Sequence, residues 1–235
     1  KTDTSFTIES SVTSILCDFS KCLFLSSIKV PSDNTAYCDV NGVLYNKDKS
    51  ELVCYPAGSK LSSYAIPSGV KTIGNHAFNS TKLESITIPS TVTKISDYAF
   101  RCSSLKSISI PESVTSIGEY AFICDRLSAI TIGNGVTSMG ARAFNSTAWY
   151  KDQPNGVVYL HNCLVGVQGT VESVNVKAGT TLIEDGVFFQ NTSLTDITIP
   201  SSVKSISSAA FEYCTSLKSV TIADGLTSIG QNAFY

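Results

Sequence analysis

Phe78, Phe100, Phe122 and Phe144 stand 22 residues apart, and Phe188, Phe211 and Phe234 stand 23 apart. Around each runs one frame, L-x-x-I-x-I-P-x-x-V-x-x-I-x-x-x-A-F-x-C, so the chain writes nearly the same unit again and again. Its leading Leu is Leu83, Leu105, Leu127, Leu194 and Leu217, with Leu25, Leu61 and Val171 in weaker copies. Its alternating pair is Ile86/Ile88, Ile108/Ile110, Ile130/Ile132, Val174/Val176, Ile197/Ile199 and Val220/Ile222, preceded by Ile28/Val30, Tyr64/Ile66 and a first copy at 6–8. A unit this short cannot bury its Leu, Ile, Val and Phe by itself, whereas units stacked in register bury them against one another.

Each I-x-I segment places two side chains on one side, the period of a strand. Pro31, Pro67, Pro89, Pro111 and Pro200 follow these segments and close them, since proline cannot donate to a ladder. The V-x-x-I and A-F pieces are too short for an α-helix and suit brief extended segments and tight turns. The expectation is a repeat solenoid: a right-handed superhelix, mainly β with short turns or 3-10 segments. In it the I-x-I segments form one parallel sheet, and Phe100, Phe122 and Phe144 stack in the core. Two stretches lengthen their coils, near 41–56 and 155–169, and each carries two apolar runs around a polar turn, the pattern of a β-hairpin. With no linker-like segment between flanking repeats, residues 1–235 read as a single domain.

The frame, in its near-identical copies at 83–102, 105–124 and 217–234, resembles the BspA-like leucine-rich repeats of secreted and surface proteins. The resemblance implies a parallel sheet on the concave side of a curved coil. It also implies a non-enzymatic binding or adhesion module, secreted or at the cell surface, contacting host matrix proteins or glycans. A structural spacer or targeting arm of a larger secreted protein is the alternative.

Composition narrows the partners. Charged residues make up 15% of the chain and the net charge is −2, while Ser and Thr number 59. With no basic stripe, electrostatic capture of nucleic acid is not expected. The apolar runs are too short to insert into a membrane.

The residues that suggest chemistry have plainer readings. Cys22, Cys102, Cys124 and Cys214 sit three residues before a repeat Leu, where other copies carry Ser80 or Asn191. This favours a buried ladder of small polar groups bonded to turn backbone, although a Cys102–Cys124 disulfide between adjacent coils is conceivable. The remaining Cys17, Cys38, Cys54 and Cys163 lie off that ladder. His76 shares its slot with Tyr98, Tyr120, Arg142 and Asn232, a variety that marks a solvent-facing position. No C-x-x-C, nucleophile–His–acid set or dinucleotide spacing appears, so no enzyme, metal or cofactor is expected. The segment 46–51 carries two lysines among its oxygens and reads as a hairpin tip rather than a calcium loop.

For a partner surface, the strand positions facing away from the core are Thr7, Lys29, Thr87, Ser109, Thr131, Asn175, Thr198 and Thr221, polar and without aromatic anchors. Aromatic residues gather at the hairpins instead. Tyr45, Tyr55, Trp149, Tyr150 and Tyr159 are therefore the expected contacts for a protein or glycan, because such rings carry much of the energy in known interfaces.

Overall fold

A computed structural model describes residues 4–16, 19, 21–102 and 104–235. The chain is a solenoid whose coils are built from three short extended pieces. The I-x-I strands, such as Ser107–Ile110 and Ala129–Ile132, pair in parallel with every equivalent residue in register. The x-I strands, such as Lys94–Ile95 and Ser116–Ile117, form a second parallel ladder. The phenylalanine pieces form a third, in which Phe78–Thr81 pairs with Phe100–Cys102 and Phe100 bridges to Phe122. Each proline turns the chain from the first ladder to the second, its carbonyl accepting from Val70, Val92, Val114 or Val203 at 3.1–3.3 Å. The connections are turns, and no 3-10 helix occurs among the described residues.

One expectation is corrected. The I-x-I strands do not make one sheet: they divide into three pairs and a triplet. Two of the breaks fall where a hairpin coil sends its chain into the second ladder and leaves no strand at that level. At the third, Ser85–Thr87 lies against Ser107–Ile110 without sharing a ladder. Continuity comes from the x-I strands, which together with the hairpin strands build one seven-stranded and one five-stranded sheet.

The core follows the frame. Leu83, Leu105, Leu127 and Leu194 are buried, as are Phe78, Phe100, Phe122, Phe144, Phe188 and Phe211, whereas Ile229 and Phe234 of the final coil are exposed. Phe78, Phe100, Phe122 and Phe144 stack with centroids 5.1, 4.9 and 4.8 Å apart and nearly parallel planes. Phe188, Phe211 and Phe234 form a second stack at 5.1 Å. These spacings match the ~4.8 Å rise between paired strands. Leu61 departs from its slot: it is 60% exposed. Before it, the chain folds over the start of Leu25–Lys29, with Gly58 N–H on the Leu25 carbonyl at 2.7 Å, and Pro56 and Ala57 are buried there instead.

Both expected hairpins are present. Val43–Asn46 pairs antiparallel with Glu51–Cys54, and an unexpected strand, Tyr37–Val40, adds to its far side. That pair turns at Asn41-Gly42, both at positive φ, the preferred chemistry of a two-residue turn. Asn46 and Asp48 spend their side-chain oxygens on Glu51 and Ser50 within the tip. The second hairpin pairs Gly156–Leu160 with Cys163–Gln168. Just before it comes a single helical turn, Ala148–Lys151, that the frame gave no reason to expect; Thr147 caps it by accepting from Tyr150 N–H. No helix among the described residues is long and apolar enough to cross a membrane.

The seven described cysteines are free thiols, and Cys17 lies outside the described residues. Cys102, Cys124 and Cys214 form the expected ladder, donating to the carbonyls of Phe78, Phe100 and Phe188 in the preceding coil at 3.5, 3.6 and 3.0 Å. Two of its members are corrected. Cys22 is exposed, in a turn where its N–H donates to the Phe19 carbonyl at 2.9 Å. Ser80 bulges out at φ 59°, and Thr81 takes the buried position, bonded to the Phe78 carbonyl and Cys102.

Two polar residues sit in slots that other coils fill differently. Thr180 occupies the Val position of V-x-x-I; it is 2% exposed and its hydroxyl has no hydrogen-bond partner. Thr180→Val is expected to stabilise the protein by about 1 kcal/mol, since the shape is kept and an orphaned hydroxyl is removed. Urea unfolding reads this directly; a loss of stability would mean that the hydroxyl is satisfied. Glu184 stands where the other coils place Gly74, Ser96, Gly118, Gly140, Ser207 and Gly230. At Gly118, Gly140 and Gly230 a Cβ would lie 2.5 Å from the backbone nitrogens of Asp97, Glu119 and Ser208. The coil preceding Glu184 is the second hairpin, and its buried carboxylate reaches across to accept Ala143 N–H at 2.8 Å.

Candidate functional site

The turn between the x-I strand and each phenylalanine needs a left-handed residue two positions before the ring. Glycine or asparagine suits this conformation, and bulky side chains rarely adopt it. The chain uses Gly186, Ala209 and Asn232 there in its later coils, but His76, Tyr98, Tyr120 and Arg142 in its earlier ones, at φ between 48° and 58°. Because equivalent positions recur one coil apart, these side chains stack. His76 lies 5.1 Å from Tyr98 and Tyr98 lies 5.4 Å from Tyr120, with planes within 14°. Arg142 places its guanidinium 5.9 Å above the Tyr120 ring and donates from Nη1 to the Tyr120 hydroxyl at 2.7 Å. All four are partly or fully exposed. Partial desolvation, and then the carboxylates of Glu119 and Asp97, push the Tyr98 hydroxyl above the usual tyrosine range.

Beyond Arg142 the column drops to small residues. Gly140, Ala141, Gly186 and Ala209 floor a groove of about 600 Å³, with Tyr120 and Arg142 on one side and Phe189, 39% exposed, on the other. Asp97, Glu119, Asp185 and Glu212 line it as well. Among the described residues none of the four is ion-paired with a lysine or arginine. Asp185 is half-buried, and burial pushes its carboxyl up despite donations from Ser207 and Ser208.

The five aromatic residues expected at the hairpins have other surroundings. Tyr55 lies 23 residues before Phe78 and stacks on it at 5.6 Å. Its N–H meets the Ala77 carbonyl at 2.7 Å just as Phe78 N–H meets Ala99, so Tyr55 is the ring of the first hairpin's coil. Tyr45 is buried beside it, its hydroxyl bonded to that of Tyr64. Tyr150 fills a gap in the core: Gly166 stands 22 residues from both Phe144 and Phe188, and the Tyr150 ring lies where a side chain at 166 would extend. The Tyr150 hydroxyl donates to the Val167 carbonyl at 3.1 Å. Trp149 and Tyr159 remain partly exposed; Trp149 meets Phe144 edge-on at 6.5 Å, and the Tyr159 hydroxyl accepts Lys177 N–H at 3.0 Å. A surface-contacting partner at the hairpins therefore has Trp149 and Tyr159 within reach.

Comparison with known proteins places these features in a family. The family described as BspA type leucine rich repeat region matches residues 53–152 and 161–235, in six copies. No protein of curated function matches the sequence. Among solved structures, a leucine-rich repeat protein from Eubacterium ventriosum is 29% identical with a TM-score of 0.58, over 98% of this chain and 57% of that one. The pneumococcal vaccine antigen PcpA is 20% identical with a TM-score of 0.50, over 94% of this chain and 56% of that one. A leucine rich cell surface protein from Faecalibacterium prausnitzii is 28% identical with a TM-score of 0.45, over 93% of this chain and 48% of that one. The chain thus spans about half the length of these structures.

Proposed function

Because the chain belongs to the BspA-type leucine-rich repeat family, we propose that it is a non-enzymatic, protein-binding module of a secreted or cell-surface protein. Its partner engages the edge that carries His76, Tyr98, Tyr120 and Arg142. The observation behind this reading is that column: large rings are held on the surface in a backbone conformation that glycine or asparagine would adopt with less strain. Stacking fixes the rings in advance, so little side-chain entropy is lost when a partner covers them. Trp149 and Tyr159 widen the contact at the second hairpin. By family analogy the partner is a host matrix protein, and the role is adhesion.

Biolayer interferometry against immobilised fibronectin and fibrinogen tests the proposal. Binding is expected, and the pair Tyr98→Ala, Tyr120→Ala is expected to weaken it about tenfold or more. The pair Ser109→Glu, Thr131→Glu on the polar sheet is expected to leave it unchanged. Loss through the sheet pair alone would move the site to that face. Failure to bind either protein would remove the adhesion role in favour of a spacer arm.

A further inference from the structure

We infer that the groove beside Arg142 receives an arginine or lysine side chain from a basic, extended segment of the partner protein. This inference rests on the protein-binding reading above and adds the chemistry of the contact. The groove has the parts such a side chain requires. Its wall, Phe189, offers an exposed apolar face to an alkyl stem, and its floor of Gly140, Ala141, Gly186 and Ala209 admits a backbone closely. Its rim carries Asp97, Glu119, Asp185 and Glu212 against Lys94 and Arg142, and Arg142 is already engaged with Tyr120.

Two further observations identify a cation as the occupant. The molecule seats a guanidinium of its own on the end ring of the column, so the geometry for one is present at the groove's edge. Asp185, which lines the groove, is half-buried and receives a serine hydroxyl and a backbone N–H. A half-buried carboxylate such as Asp185 gains more from an incoming positive charge than a fully exposed one does. With four carboxylates against Lys94 and Arg142, the rim favours a basic segment over an acidic one.

The probe is the peptide acetyl-Gly-Arg-Gly-Arg-Gly-amide, titrated into the ¹⁵N-labelled protein at low salt, with its Glu-for-Arg counterpart as control. The amides of Gly140, Gly186 and Ala209 are expected to shift with the arginine peptide and not with the glutamate peptide. The pair Asp185→Asn, Glu212→Gln is expected to weaken binding about tenfold, with the remaining spectrum unchanged as evidence of folding. Rising salt is expected to weaken it as well. The inference is overturned if those amides do not shift, if both peptides shift them equally, or if the double variant binds as tightly as the parent. Seating of the peptide without binding to any matrix protein would retain the cation site and remove the adhesion role. Matrix binding that survives the Asp185, Glu212 pair would do the reverse.

Discussion

Replacing Phe122 by alanine is expected to lower the unfolding free energy by about 3–5 kcal/mol, the range for losing a fully buried aromatic side chain. Its ring is wholly buried between two others, with Phe100 at 4.9 Å and Phe144 at 4.8 Å. Truncation opens a cavity with a ring on either side. The coil spacing is fixed by the ladder hydrogen bonds, among them Phe122 N–H to the Ala143 carbonyl at 2.9 Å, so the neighbours cannot close in. Phe234, 44% exposed at the end of the other stack, is the control and should lose much less on the same change. Guanidinium unfolding measures both. A loss below about 1 kcal/mol at Phe122, the level of a surface substitution, would mean that the stack contributes little to stability.

The second large effect is expected at Glu184, and it depends on pH. Burial pushes this carboxyl well above the ordinary glutamate range, Ala143 N–H opposes that, Asp185 adds to it and Arg142 opposes it. Two neutral groups near it respond to its charge: Cys163, whose thiol is pushed up to about 12 by burial and then by Glu184, and Tyr150, raised by the same two causes in the same order. A carboxyl raised on folding contributes its full stability below its unfolded value of about 4.3, and that contribution is lost as pH rises through the folded value. Glu184→Gln keeps an acceptor for Ala143 and has no charge to bury. The variant is expected to match the parent near the unfolded value and to exceed it by roughly 1–3 kcal/mol at neutral pH, the usual cost of an inadequately compensated buried polar group. The difference between the two proteins, followed against pH, removes the titration of every other group. If it is flat, Glu184 is fully compensated in the folded state.

Much of the fold could be read from spacing. Phenylalanines 22 or 23 residues apart place one ring above the next, and the alternating isoleucines and closing prolines locate the first ladder. Tyr55 obeys the same spacing and is the ring of its coil, although its hydroxyl and hairpin context suit a surface contact equally well. Gly166 obeys it too, and there the ring comes from Tyr150, sixteen positions earlier, which no periodicity reports. Leu61 kept its place in the sequence but not in the core, because a loop folded over the neighbouring strand first. The column is not visible in the sequence. Variation among His76, Tyr98, Tyr120 and Arg142 reads as solvent exposure, which is correct for each residue taken alone. In a solenoid, however, residues one period apart are neighbours whatever their identity, so a variable slot can still be a continuous surface.

The Tyr150 plug has a consequence for how the molecule comes apart. In a linear array each repeat is held by its own stability and by coupling to its two neighbours. Coupling between Phe144 and Phe188 passes through a ring borrowed from a helical turn and a lone buried carboxylate, where between Phe78 and Phe144 it passes through near-identical coils. Beyond a small N-terminal cluster around Leu25 and Ile28, buried side chains accordingly group into one cluster ending near Leu182 and another beginning at Leu164. The splice between the two large clusters is then a weak link, and melting of the array should depart from an all-or-none transition. A force drawn along the axis would part the chain at that splice first, and each side would then unravel at its own load.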